Sequence, residues 1–177
     1  HPKIGPLTGE LHGFGYMTEH FASNTMTYHV IDANGRTLRS DVFEAPYAAM
    51  VHDFMITRDY VLFPIFPLTC DLARIEQFGF PFAFDPSAGA YIGVLERGAP
   101  VSDIRWVEAP VCFIFHYLNA WNDGTQVTFD SVDFAVAPNF PDPDGNLPGH
   151  TEAQGRLTRW RLDVSTGRID RELLVDV

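Results

Sequence analysis

The stretch that decides the fold is Met50-Val-His-Asp-Phe-Met-Ile-Thr57, followed by Tyr60-Val-Leu-Phe-Pro-Ile-Phe66. Both segments are short, mainly apolar and rich in aromatic and β-branched residues, and the polar pair Arg58-Asp59 separates them. This pattern predicts two antiparallel strands joined by a tight turn. A strand pair of this kind is the unit from which the rest of the chain is built.

Short strands and turns continue in both directions from this pair. Asn34-Gly35 is the dipeptide that a tight hairpin turn prefers, and Ser165-Thr-Gly167 marks another hairpin. Strands that recur about every 8–12 residues indicate an all-β sandwich, barrel or propeller, and periodicity alone does not choose among them. The predicted strands are Glu10–Met17, Thr25–Asp32, Arg36–Phe43, Met50–Thr57, Tyr60–Phe66, Ala90–Glu96, Asp103–Glu108, Val111–Leu118, Gln126–Val136, Leu157–Val164 and Arg168–Val175.

Three segments differ from this alternation. Leu68–Phe78 has apolar residues at offsets of four and three, which predicts a short helix. Pro138–His150 is rich in Pro, Asp, Gly and Asn and is predicted to be a loop that does not pack. Val111–Leu118 begins with an apolar run on both faces, which is typical of a strand near the middle of a structure.

Composition bounds the class of protein. The 177 residues are 46% hydrophobic and 14% aromatic, which suits one globular domain. Twelve Lys and Arg against 23 Asp and Glu give a net charge of −11, so nucleic acid is excluded as a partner. Cys70 and Cys112 are interpreted as reduced, buried thiols. No apolar run reaches the roughly 18 residues of a transmembrane helix, and we expect a cytoplasmic protein.

The two ends of the chain suggest a piece of a longer protein. The sequence opens on His1 without an initiator Met and closes on the strand-like segment Glu172–Val177 with no polar tail. We interpret the chain as an internal fragment.

Three histidines in specific surroundings are the candidate metal ligands: His1, His52 and His116. Imidazole is a common ligand of redox-active first-row metals, so histidines on separate buried strands suggest one metal held between them. Taken alone, His52 is explained as a buried histidine with satisfied hydrogen bonds, and His1 as an exposed terminal residue. Their occurrence together favours the metal. Asp53 is expected to orient a ring or to receive a backbone hydrogen bond.

Other motifs point to no second chemistry. His12, His20, His29 and His150 lie in polar or turn-like surroundings and are interpreted as surface or structural residues. The sequence has no H-x-x-x-H or C-x-x-C zinc spacing, no G-x-S-x-G elbow and no phosphate-binding glycine loop. Asp142 and Asp144 before Gly145 lack the downstream Glu of a calcium loop and predict a solvated turn.

Three motifs in order resemble the carotenoid cleavage oxygenases. They are His1–Glu10, Met50–Thr57 with Tyr60-Val-Leu-Phe-Pro64, and Phe115-His-Tyr-Leu-Asn-Ala-Trp121. The resemblance covers nearly the whole chain. Within the family, the sequence looks most like the bacterial lignostilbene dioxygenase branch, on the motifs Asp71-Leu-Ala-Arg74, Phe84-Asp-Pro86, Gly93-Val-Leu-Glu-Arg-Gly98 and Asp103-Ile-Arg-Trp106.

The resemblance implies a fold and a metal. It implies an all-β, seven-bladed β-propeller in which residues 1–177 are the central part of a single domain, with only the central blades present. It also implies a non-haem Fe(II) held on the propeller axis by four histidines. His1, His52 and His116 would be three of these ligands, while the fourth and the carboxylates that orient the ligands would lie outside this chain.

The function that follows is oxidative cleavage of an alkene. We expect an Fe(II)-dependent dioxygenase that uses O2 to split the C=C bond of a stilbene or apocarotenoid into two carbonyl products, with the fragment itself inactive. The partners would be O2 and an apolar conjugated molecule in a tunnel, which an aromatic surplus suits. That surplus comprises Phe54, Phe63, Phe66, Phe80, Phe82, Phe84 and Trp121, most of them expected in the core. The alternatives are a catalytically silent propeller that serves as a binding module, and an isomerase on the same scaffold.

Overall fold

The computed structural model describes residues 1–176 and consists almost entirely of antiparallel strands. The strands are β1 (Lys3–Ile4), β2 (Leu11–Tyr16), β3 (Thr25–Ile31), β4 (Thr37–Glu44), β5 (Met55–Ile56), β6 (Tyr60–Ile65), β7 (Leu68–Cys70), β8 (Phe82–Phe84), β9 (Ala90–Glu96), β10 (Arg105–Ala109), β11 (Phe113–Asp123), β12 (Gln126–Phe134), β13 (Gly155–Asp163) and β14 (Arg168–Asp176). The helix α1 spans Ala73–Phe78. The predicted all-β class is therefore confirmed. Of the strand-like C-terminal segment, Val177 lies outside the described residues.

The strands form three four-stranded sheets. Sheet 1 has the order β1-β2-β3-β4, sheet 2 the order β5-β6-β9-β10, and sheet 3 the order β11-β12-β13-β14. Each sheet is a simple up-and-down antiparallel ribbon, and β7 and β8 form a two-stranded pair inserted between β6 and β9. In each of the three sheets, the strand that comes first in the chain lies at one edge.

Sheet 2 packs between the other two sheets, and its sequence shows why. The strand β6 is apolar at successive positions, so it buries both faces. Phe63 contributes to a core with Tyr28 of sheet 1, whereas Leu62 contributes to a core with Phe129 and Trp160 of sheet 3. By contrast, β12 alternates between buried and partly exposed residues. The two cores fix the three sheets side by side.

Two predicted elements are wrong in extent. Of the strand predicted over Met50–Thr57, only Met55–Ile56 pairs with β6, whereas Met50 at its start donates its backbone N–H to Leu68 of β7. Of the helix predicted over Leu68–Phe78, the first residues instead form β7, and helix α1 begins only after Asp71, whose carboxylate accepts the Ala73 N–H. Gly79 ends α1 in the left-handed conformation.

The prediction for β11 is correct only at its start. Phe113 and Ile114 are buried as the apolar run suggested, but the strand continues to Asp123 and most of that continuation is exposed. The reason is position: β11 is the edge strand of sheet 3, and no further strand of the described residues pairs with its open side.

Smaller expectations are mostly confirmed. Cys70 and Cys112 are free and buried. The segment 138–150 contains no strand or helix, and Asp142 accepts backbone hydrogen bonds from Asp144 and Asn146 in a solvated turn. This loop does pack in part, however, because Phe140 lies against the core of sheet 3. Among the described residues, no helix is long and apolar enough to cross a bilayer.

Candidate metal centre

The three candidate histidines lie at equivalent places in the three sheets. His1 stands just before β1, His52 lies shortly before β5, and His116 lies within β11. These strands are the first of sheets 1, 2 and 3 respectively. Because the three sheets pack side by side, their first strands meet along one line, and the structure brings the histidines together there.

The distances between the rings suit one shared cation. Nε2 of His1 is 3.4 Å from Nε2 of His52 and 3.1 Å from Nε2 of His116. One candidate ligand atom from each of the three residues can be chosen so that all lie within 4.8 Å of one another. Imidazole nitrogens bound to one first-row metal at about 2.1 Å stand about 3.0–3.4 Å apart. The spacing therefore fits a common metal ion.

Hydrogen bonding alone does not satisfy this cluster. A ring nitrogen carries either one in-plane hydrogen or one in-plane lone pair, so Nε2 of His1 can make one good hydrogen bond. It faces two nitrogens. A cation placed among three unprotonated nitrogens satisfies all of them at once, and imidazole suits iron, copper, nickel and zinc. The donor set thus fits a first-row transition metal.

A backbone irregularity directs His116 into the cluster. The pairing between β11 and β12 shifts register between Ile114 and Tyr117, so Phe115 and His116 fall in a bulge. A bulge bends its strand and re-aims side chains, and bulges are frequent next to functional sites. His116 consequently leaves the regular alternation of β11.

Asp53 joins the segments that carry the three histidines. Its carboxylate is buried, pairs with Nζ of Lys3 at 2.8 Å, and accepts the backbone N–H of Phe54 at 2.9 Å and of Tyr117 at 3.1 Å. The sequence foresaw a backbone hydrogen bond to Asp53. It gave no sign of Lys3 or Tyr117 as its partners, because these lie 50 and 64 residues away in the chain.

The surroundings of His52 favour its neutral imidazole form. Partial burial and the neighbouring His116 lower the pKa of His52, and the Asp53 carboxylate opposes them. A neutral ring offers its nitrogen lone pair to a metal, whereas a protonated ring does not. The environment therefore holds His52 in the form that can act as a ligand.

The expectation that these histidines lie on buried strands is wrong for this chain. All three are exposed, since the edge strands face an open line that nothing in residues 1–176 covers. Within the same described range, no carboxylate lies in hydrogen-bonding distance of any of their Nδ1 atoms. The orienting carboxylates and the fourth histidine remain predictions.

A cavity with a mixed apolar and polar lining begins next to the cluster. It has a volume of about 640 Å³ and is lined by the continuations of the same three first strands, including Ile4, Met55 and Leu118. Of the aromatic residues considered for a tunnel, Phe54 and Trp121 line this cavity. Phe63, Phe66, Phe82 and Phe84 are buried in the two cores, as expected for most of that set.

One buried histidine has a structural role, which is one of the two interpretations that its sequence context allowed, and its partners could not be predicted. His12 is 2% exposed, its Nδ1 lies 2.6 Å from the hydroxyl of Tyr28, and its Nε2 lies 2.9 Å from the Arg97 guanidinium. Arg97 also pairs with Glu10. Because Arg97 can only donate, Nε2 accepts and Nδ1–H donates to Tyr28. This network links sheet 1 to the turn after β9, away from the three-histidine cluster.

The three sheets and the cluster on their first strands define a segment of a β-propeller with a histidine-lined axis. The sequence matches the family described as Retinal pigment epithelial membrane protein over residues 1–176. The chain belongs to this family, that of the carotenoid cleavage oxygenases. The predicted family membership is confirmed.

Individual relatives agree with this assignment. Isoeugenol monooxygenase from Pseudomonas nitroreducens is 41% identical over 180 residues, which cover 99% of this chain and 37% of that protein. Lignostilbene-alpha,beta-dioxygenase isozyme III from Sphingomonas paucimobilis is 34% identical over 176 residues, or 96% of this chain and 36% of that protein.

A solved structure shows the same fold. The crystal structure of the lignostilbene dioxygenase from Pseudomonas brassicacearum superposes with a TM-score of 0.91 at 34% identity, covering 99% of this chain and 38% of that one. The predicted propeller fold of the carotenoid oxygenase type is therefore confirmed. The chain spans little more than a third of the length of the relatives it matches.

Proposed function

We propose that the protein containing this chain is a non-haem Fe(II)-dependent dioxygenase that cleaves a C=C bond with O2, and that His1, His52 and His116 are three of its iron ligands. The observation that carries the proposal is the convergence of their Nε2 atoms at 3.1 and 3.4 Å. Bound iron would supply dioxygen activation. The balance is simple: the double bond and the O–O bond break, and each alkene carbon leaves with one oxygen atom as a carbonyl.

The residues of this chain have roles that do not depend on that chemistry. The three imidazoles would hold the ion and, as neutral ligands, would leave its charge uncompensated. The bulge at Phe115 and His116 aims one of these rings. The cavity beside the cluster, lined partly by Phe54 and Trp121, offers aromatic side chains to the face of a conjugated substrate.

We propose a phenylpropene or stilbene as the substrate, ahead of an apocarotenoid. Relatives named for isoeugenol and lignostilbene support this choice, as does the branch resemblance of the Gly93–Gly98 motif. One of these relatives is named a monooxygenase and the other a dioxygenase. Cleavage under ¹⁸O2 separates the two: a dioxygenase labels both carbonyl products at early times, and a monooxygenase labels one.

We further propose that residues 1–177 form the central part of a single propeller domain. The structural match over 99% of the chain supports this, together with the two faces of sheet 2 that are both covered. The cytoplasmic location stays a prediction.

The deciding experiment is ferrous iron binding and turnover by the whole protein. Wild type is expected to bind one iron, consume O2 and release two carbonyl products from a stilbene. His52→Ala is expected to lose iron and at least about 100-fold in activity, since it removes a ligand atom. His20→Ala is the matched control, because His20 is exposed and hydrogen-bonds only its own neighbourhood.

Three outcomes would contradict the proposal. Unchanged metal content in His52→Ala would favour a silent binding propeller. Rearrangement of the double bond without O2 consumption would favour an isomerase. Full activity in the absence of iron would remove the metal from the mechanism altogether.

A further inference from the structure

The buried carboxylate of Asp53 touches every chain segment that supplies a histidine to the cluster. Asp53 follows His52 directly, its ion-pair partner Lys3 lies two residues after His1, and its backbone partner Tyr117 lies one residue after His116. Its side chain is 2% exposed. One small group therefore connects the first strands of all three sheets.

The free-energy cost of burying the Asp53 carboxylate is offset by the donors around it. A buried carboxylate needs hydrogen bonds or an opposite charge to offset the loss of hydration. Oδ1 receives Lys3 Nζ and the Phe54 N–H, and Oδ2 receives the Tyr117 N–H. All three donors come from segments next to a candidate ligand. Because the buried carboxylate is stable only while these donors contact it, it holds the three segments in place.

The segments lack regular pairing of their own at this point. β1 and β5 are two residues long, residues 50–54 lie outside the sheet 2 ladder, and the pairing of β11 shifts register on either side of Tyr117. Backbone without regular ladder partners takes its position from side-chain contacts. Asp53 supplies such contacts to all three segments.

We propose that Asp53 is a positioning residue that sets the spacing of the His1, His52 and His116 ligands by tying their three backbone segments to one carboxylate. This proposal rests on the proposed function for the identity of the bound ion, whereas the contacts of Asp53 with the three segments do not depend on it. Asp53 is not among the proposed metal ligands. It acts through the backbone, with Lys3 as the counter-charge beside the carboxylate.

The test variant is Asp53→Asn in the whole protein. An amide has one oxygen and one NH2 group, so in either orientation an NH2 faces Lys3 or the Tyr117 N–H, and two donors oppose each other. The matched control is Asp133→Asn. Asp133 is also buried and its carboxylate accepts hydrogen bonds from Ser131 and Trp160; its residue pairs with Ile114 in the sheet 3 ladder, but its side chain makes no hydrogen bond to a ligand-bearing segment.

The first readout is cobalt(II) binding followed by visible absorption, which reports ligand geometry independently of turnover. Asp53→Asn is expected to weaken cobalt affinity about 10-fold or more and to change the position and intensity of the ligand-field bands. Asp133→Asn is expected to lose stability but to keep wild-type affinity and spectrum. Should Asp53→Asn fail to fold, Lys3→Met removes the ion pair from a partly exposed position, together with the contact between the Lys3 ammonium and the Phe54 ring, and is expected to move both quantities in the same direction.

The second readout needs no metal. Amide hydrogen exchange of the metal-free protein is expected to speed up in segments 50–56 and 113–119 together in Asp53→Asn, and not in Asp133→Asn. Wild-type cobalt affinity, spectrum and exchange in Asp53→Asn would overturn the positioning role and leave the proposed function standing. A wild-type protein that binds no metal would overturn the proposed function, and exchange then decides the role of Asp53 alone.

Discussion

Gly93 makes room for the Trp106 ring on the neighbouring strand. The two residues are directly paired between β9 and β10, and a Cβ atom at Gly93 would lie 2.7 and 2.9 Å from two carbons of the indole. Indole rings are rigid, so the strand or the ring must shift. Overpacking of this kind costs about 1–3 kcal/mol.

Gly93→Ala is accordingly expected to lower the free energy of unfolding of the whole protein by about 1–3 kcal/mol, measured by denaturant titration. Gly13→Ala is the control, because a Cβ there meets nothing within 4 Å. It is expected to leave stability unchanged or to raise it by up to about 1 kcal/mol, since Ala loses less backbone freedom on folding. Equal effects of the two substitutions would show that the indole contact does not matter.

For single residues, the sequence predicted which side chains form the candidate site but not the contacts between them. His1, His52 and His116 stand in motifs that mark them, and the structure brings them together. The contacts of Asp53 could not be predicted, because they depend on how three sheets pack. The burial of His12 could not be predicted for a related reason. Its partners come from β3 and the turn after β9, and the residues next to it in the sequence do not form an apolar run.

Sheets 1 and 2 are joined by the network of Glu10, His12, Tyr28 and Arg97, which depends on a neutral histidine. Burial and the neighbouring Arg97 lower the pKa of His12, and Glu10 opposes them. Desolvation raises the pKa of Tyr28 to about 12, so Tyr28 stays protonated throughout. His12 therefore titrates below its ordinary value of 6.5 in the folded protein.

The pH dependence follows from that shift. Below pH 6.5 the unfolded chain binds a proton at this position more readily than the folded protein does, so the free energy of unfolding falls as the pH drops. Above pH 6.5 the contribution is complete. His12→Gln is expected to show a shallower loss of stability between pH 7.5 and 5.0 than wild type. His20→Gln should keep the wild-type slope, and an identical slope in both variants would contradict the role of His12.

Element boundaries were least predictable where the backbone hydrogen-bonds to side chains instead of to a neighbouring strand. The pattern of Met50–Thr57 is typical of a strand. Only Met55–Ile56 pairs with β6, however, and the residues before it include His52 of the cluster and the buried Asp53. In Leu68–Phe78, helical spacing of apolar residues misled, because Leu68 is buried in a strand whereas Leu72 and Ile75 are exposed beside or within a short helix. Spacing alone cannot separate these cases in short segments.

In the whole molecule, sheet 2 is covered on both faces, while sheets 1 and 3 each have one covered face in residues 1–176. Large apolar residues on the outer sheets are exposed, among them Leu38 and Val42 on β4 and Leu173 on β14. Exposed apolar patches favour association. The isolated 177-residue chain is expected to self-associate in size-exclusion chromatography and to show no cleavage of a stilbene. Turnover by the purified chain would contradict this expectation.

The architecture became predictable only through the family resemblance. Turn signals and alternating strands gave the all-β class, but they fit a sandwich, a barrel and a propeller equally well, since each is built from the same hairpins. Three histidine motifs in order favoured the propeller, and the structural match bears this out. The bulge that aims His116 could not be predicted from the strand and turn patterns of the sequence.

Three imidazoles far apart in sequence are proposed to hold one iron. Anomalous diffraction at the iron absorption edge, from anaerobic crystals of the whole protein grown with ferrous iron, would locate that ion. We expect a single strong peak between the Nε2 atoms of His1, His52 and His116. A peak elsewhere, or iron-free density with the three rings hydrogen-bonded to other groups, would contradict it.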